Sequence, residues 1–144
     1  VNDPQWYDLF GNSGAYDSGT NTYTLVSSYT MDESDLLEIE VGEKLIISKG
    51  ITLTNNGGII NVLIGTTSHG TIINEGGIIN NGTINNDGAI NNDGTIDNTD
   101  TIANNNGGRI NNNGGRINNN GGDIENTGKI TNTFGTIDNG GFIN

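Results

Sequence analysis

From Gly57 onward one triplet recurs in phase, and it limits what the chain can fold into. Isoleucine stands at Ile59, Ile72, Ile78, Ile84, Ile90, Ile96, Ile102, Ile110, Ile117, Ile124, Ile130, Ile137 and Ile143. Two residues after them come Asn61, Asn74, Asn80, Asn86, Asn92, Asn98, Asn104, Asn112, Asn119, Asn126, Asn132 and Asn139; only Ile143 lacks one. Two residues before each Ile stands Gly, except before Ile102, where Asp100 takes the place. Random low-complexity sequence does not hold three positions in phase over such a length, so this is a repeat architecture.

In an extended chain, residues two apart share a face. Gly, Ile and Asn of each unit therefore point the same way. Ile is large, apolar and β-branched, so that face is the interior. The positions between hold Thr, Asn, Asp, Arg, Lys and Glu, which suit water. A unit this short cannot enclose a core alone. It must turn a corner, for which Gly and Asn suit through their tolerance of φ > 0. Coils then stack at about 4.8 Å, Ile on Ile and Asn on Asn. The amide ladder satisfies polar groups that are costly to bury alone.

The fold expected is all-β: a parallel β-solenoid (β-helix) of six- to eight-residue units. Three units per coil give triangular coils with a real interior. The row Thr71, Thr83 and Thr95 fits two per coil and keeps that alternative open. Extra residues fall after Asn104 and Asn112, at corners, where a solenoid tolerates insertion. Upstream, Ile39, Leu45 and Ile51 are evenly spaced, as are Val41, Ile47 and Leu53, so the solenoid is placed at residues 36–144.

Residues 1–35 differ. They hold Trp6, Tyr7, Phe10, Tyr16, Tyr23 and Tyr29 and the single Pro, Pro4. They read as irregular loops and one strand from Tyr23 to Met31, forming a capping or assembly segment.

The run Gly82-Thr83-Ile84-Asn85-Asn86-Asp87-Gly88-Ala89-Ile90-Asn91-Asn92 resembles the Asn/Gly-rich "GTINN" repeats of prokaryotic surface, adhesin-like and filament-forming proteins. The resemblance spans roughly residues 36–144. It implies an extracellular or cell-surface place and structural or adhesive work, with no family active site to carry over.

Composition narrows function further. Apolar residues make up 31% of the chain, too few for a broad globular core. The net charge of −12, with five Lys and Arg, argues against nucleic-acid binding. No apolar run is long enough for a membrane-spanning helix. Cys is absent, so thiolate metal sites are excluded. A start at Val1 without Met reads as a secreted form whose leader has been removed.

Enzymatic chemistry finds no constellation. His69 has no second His or Cys near it in sequence, and Glu38, Glu40 and Glu43 alternate as a solvated strand face would. No cofactor is implied. Asp87, Asp93, Asp97, Asp100 and Asp138 are scattered and leave room only for weak surface calcium binding. Asn81-Gly82-Thr83 is a glycosylation sequon, making Asn81 a candidate acceptor. Thr71, Thr83, Thr95, Thr101 and Thr136 suggest an ice-binding face, but Arg109, Arg116, Asp123 and Lys129 interrupt that outward position.

The expected partner is the chain itself. Its repeats run on to Phe142, Ile143 and Asn144, which reads as an unlidded rung. Head-to-tail stacking would then build a filament or surface layer. Trp6, Tyr7, Phe10, Tyr23, Leu25, Tyr29, Phe142, Ile143 and Asn144 are the residues expected at the joint, with a fold-back of residues 1–35 as their own cap being the alternative. An adhesin or glycan-binding stalk is the rival function, and an ice-binding protein a further one.

Overall fold

The structure, a computed structural model, describes residues 4–144, without the side chains of Pro4, Gln5 and Tyr7. Val1 therefore lies outside the described residues, as does the side chain of Tyr7.

The chain opens with a helix, α1 (Pro4–Phe10), and a short strand, β1 (Gly14–Asp17). Strands β2 (Thr22–Leu25), β3 (Tyr29–Met31) and β4 (Leu36–Ile39) form the first coil. Then come β5 (Lys44–Ile47), β6 (Thr52–Asn55), β7 (Ile59–Val62), β8 (Thr71–Asn74), β9 (Gly77–Asn80) and β10 (Thr83–Asn86). The regular part continues through β11 (Ala89–Asn92), β12 (Thr95–Asn98), β13 (Thr101–Asn104), β14 (Arg109–Asn113), β15 (Arg116–Asn119) and β16 (Asp123–Asn126). The final rung is β17 (Lys129–Thr133), β18 (Thr136–Asn139) and β19 (Phe142–Ile143).

Every third strand pairs in parallel, which builds three sheets of six or seven strands. The result is a parallel β-solenoid of about six coils with three strands per coil. Sheet A stacks β2, β5, β8, β11, β14 and β17, with β1 added antiparallel to β2. Sheet B runs from β3 to β18 and sheet C from β4 to β19. The two-per-coil alternative fails: Thr71, Thr83 and Thr95 lie on sheets A, C and B respectively.

Along each strand burial alternates, as the two-residue period requires. Ile72, Ile78, Ile84, Ile90, Ile96, Ile102, Ile110, Ile117 and Ile124 are buried in one continuous core. Each contributes about 2 kcal/mol relative to an exposed side chain. The axial void they leave, lined only by isoleucine from Ile78 to Ile143, is about 10 Å³. That is marginal for one water, and its apolar walls keep the interior dry.

The structure corrects several sequence readings. The strand expected from Tyr23 to Met31 is two, β2 and β3, broken at an exposed corner at Val26. Residues 4–35 contain a helix and three strands joined by turns, and β2 and β3 already stack in parallel on β5 and β6, so the solenoid starts at Thr22. In β7 the phase slips by one: Ile60 and Val62 are buried, while Ile59 and Asn61 face outward. Gly58, not Gly57, occupies the close corner there. Val41 is exposed and Ile51 half-buried because both fall at corners.

The in-phase glycines also serve a different purpose from the one expected. Positive φ occurs at Asn21, at Phe134 and at glycines such as Gly107, Gly114 and Gly121 of the longer units; among the glycines two before an Ile, only Gly57 has it. The recurring Gly before each Ile is needed for close approach. At Gly82 a methyl group would stand 2.5 Å from the Gly58 carbonyl oxygen of the coil before.

Candidate assembly interface at the solenoid ends

The Asn ladder forms three columns. In sheet A, Asn74 Nδ2 donates to Asn92 Oδ1 at 2.7 Å, Asn92 to Asn112 at 2.8 Å and Asn112 to Asn132 at 2.8 Å. In sheet B the chain runs Asn55, Asn80, Asn98, Asn119, Asn139. In sheet C it runs Asn86, Asn104, Asn126. Partners are 18 residues apart in the regular coils and 20 to 25 apart where corners lengthen. Several amides also hold their own corner, as Asn98 Nδ2 does by donating to the Asp100 carbonyl at 2.8 Å, whereas Asn74, Asn86 and Asn104 reach a carbonyl of the next coil.

The ladder is directional. Every inward bond runs from the earlier coil's Nδ2 to the later coil's Oδ1. The first carbonyl oxygens, on Asn55, Asn74 and Asn86, are buried without a partner. They abut Met31, Ile47 and Val62 of the preceding coil, which offer no donor. At the other end, among the described residues, Asn132 and Asn139 donate to their own corner carbonyls, Gly135 and Gly141.

The two ends differ. At the head, Trp6 and Phe10 of α1 are buried over Tyr23. The Trp6 and Tyr23 rings stack at 5.2 Å and 7°, and Phe10 packs on Tyr23 at 5.1 Å and edge-on to Tyr29 at 5.0 Å. Trp6, Phe10, Tyr23 and Leu25, named above as joint residues, are thus enclosed by their own chain and are not presented to a neighbour. Tyr29 is half-buried beneath the same cap.

The tail is open. Ile130 and Ile137 are half-buried, and Ile143 is 42% exposed, although their counterparts one coil earlier are buried. Asn132, Asn139 and Asn144 are exposed. Phe142 is 67% exposed and Phe134 fully exposed, the latter at φ 60°, a left-handed conformation that a bulky side chain rarely adopts. Nothing in the sequence signalled that strained corner.

The other sequence candidates stay apart. His69 sits in the corner before β8, where its carbonyl accepts from Gly42 N–H at 3.3 Å. No group of three or more His, Cys, Asp or Glu residues able to hold a metal is found among the described residues. Asn81 is exposed at a corner and accepts a hydrogen bond from the Thr99 hydroxyl at 2.7 Å. The five threonines of the ice-face expectation are spread over three sheets, and only Thr83 and Thr101 are neighbours in one column.

The fold defines a parallel β-solenoid whose first coil is covered by α1. Comparison with family models, curated proteins and solved structures finds no match.

Proposed function

We infer that the chain is a structural subunit that self-assembles end to end into an extracellular filament or surface layer. The carrying observation is the repetition itself: coil after coil presents the same inward Ile and Asn, so the face of one coil is a template for another. A parallel edge with unused backbone and side-chain donors is a template for more sheet. Extracellular placement rests on the resemblance of residues 82–92 to surface-protein repeats.

Light scattering across protein concentration, followed by electron microscopy, tests this. Growth of straight rods whose length rises in steps of one subunit is expected. A monomer that persists to millimolar concentration contradicts it. The rival reading, a glycan-binding stalk, is favoured by the fully exposed Phe134 and predicts a monomer that binds glycans.

A further inference from the structure

The faces of the rod differ in charge. The parallel strands of sheet A, β2 to β17, bear Lys44, Arg109 and Lys129 and no carboxylate, although the chain holds 17 Asp and Glu against five Lys and Arg. Sheet C bears Glu38, Asp123 and Glu125 and no cation. Sheet B carries Asp97, Asp138 and Arg116, the last paired with Asp138.

Strand register aligns these charges. Lys44, Thr71, Ala89, Arg109 and Lys129 form one outward column of sheet A. Glu38, Asn61, Asn85, Ala103 and Glu125 form one outward column of sheet C. Each column holds its end charges four strand steps apart, about 19 Å. Side-chain bonds brace the second column: Asn61 Nδ2 donates to Glu38 Oε1 at 3.4 Å, and Asn85 Nδ2 to Asn61 Oδ1 at 3.0 Å. Lys44, Arg109 and Lys129 are exposed and have no ion-pair partner among the described residues.

Resting on the self-assembly reading above, we propose that rods also associate sideways, sheet A of one copy lying against sheet C of a second. Equal spacing lets both end pairs meet at once. Rods with parallel axes set Lys44 against Glu38 and Lys129 against Glu125. Their opposed strands run in opposite directions, so the outward column ahead of the Ile row on sheet A meets the one behind it on sheet C. Antiparallel rods set Lys44 against Asp123 and Glu125, and Lys129 against Glu38. Sheet A on sheet A would oppose cations, and sheet C on sheet C carboxylates. The contact is heterologous, so a copy meets one neighbour through sheet A and another through sheet C.

A face of six strands, each about four residues long, covers about 380 Å², roughly half of one partner's share in a standard interface. Single chains therefore pair weakly, and rods of several chains bundle more firmly because their contacts add. At about 0.15 M salt the Debye length is about 8 Å, which damps repulsion between distant carboxylates more than attraction across the seam. At about 1 M it falls to about 3 Å, and bundling should be lost.

Carbodiimide cross-linking of mixed isotope-labelled and unlabelled chains tests the contact, because the reagent joins a lysine amine to a touching carboxylate with loss of water. Mass spectra should show mixed-label products between Lys44 or Lys129 and the sheet C carboxylates. K44E should weaken bundling about two- to fivefold, the range for an exposed ion pair. Adding E38K should restore it if axes are parallel, and adding E125K if they are antiparallel. Circular dichroism confirms that each variant folds. Rods that lengthen without mixed-label products between sheets A and C, or a K44E defect that neither second change restores, overturn this contact and leave end-to-end assembly standing. Heparin binding that K44E abolishes, without such products, would assign sheet A to a polyanion instead. Mixed-label products without lengthening overturn end-to-end assembly and leave the contact standing. Chains that stay apart at every concentration overturn both.

Discussion

Asparagine carries the unusual burden here, because it is buried in the place where most proteins put aliphatic side chains. Asn98 is wholly buried, accepts from Asn80, and donates to Asn119 and the Asp100 carbonyl. Asn98→Leu removes these bonds, with a longer one to the Asp123 carbonyl, and strands a donor above and an acceptor below. Each stranded group costs about 1–3 kcal/mol, so a loss of about 3–4 kcal/mol is expected in urea unfolding. Asn74 stands first in its column and its Oδ1 has no partner. Asn74→Leu removes the donor to the Asn92 and Thr95 carbonyls but strands no donor, and should cost about half as much. The recurring glycines are as strict: Gly82→Ala forces a methyl group against the Gly58 carbonyl. The columns of Ile and Asn were legible in the sequence because one period placed both on the inward face. The reason for glycine was not, because close approach between coils depends on partners 18 or more residues away.

At the scale of elements, the cap and the coils obey different rules. The coils are held by repetition. The seven-residue helix α1 is too short to be stable alone and is held by the stacking of Trp6 and Phe10 on Tyr23. Trp6→Ala should cost about 3–5 kcal/mol. Hydrogen exchange should then quicken in β2–β4 before it does in β9–β12. Equal quickening throughout would show that the cap and coils unfold as one unit. Neither the helix nor the break at Val26 was legible, because the head has no period: aromatic spacing fixes neither. The one-residue slip at β7 was hidden for a related reason, since Ile59 and Ile60 are adjacent and either could be counted inward.

For the whole molecule, charge sets the pH response. The Asp17 carboxyl is held below its ordinary value of 3.8, first by the Thr20 hydroxyl and then by the Gly19 amide. A lowered folded value adds stability above pH 3.8 that is lost as pH falls through the folded value. Wild type should therefore exceed D17N in stability at neutral pH, with the gap closing in acid. Tyr29 is raised above 10.0, first by burial and then by Asp35 and Asp32. Its contribution is intact below pH 10.0 and is lost as pH rises through the folded value, so unfolding midpoints should fall in alkali less for Tyr29→Phe than for wild type.

The central claim is that three strands make one coil, so that Thr83 and Thr101 are lateral neighbours while Thr83 and Thr95 lie on different sheets. The chain has no Cys, so engineered pairs report without background. A disulfide needs Cα atoms about 4.4–6.8 Å apart, and adjacent strands provide about 4.8 Å. T83C/T101C should oxidise fully in the folded protein, and T83C/T95C should not form an intramolecular bond until the chain is unfolded. The reverse pattern would contradict three strands per coil, and with it the ladders of isoleucine and asparagine.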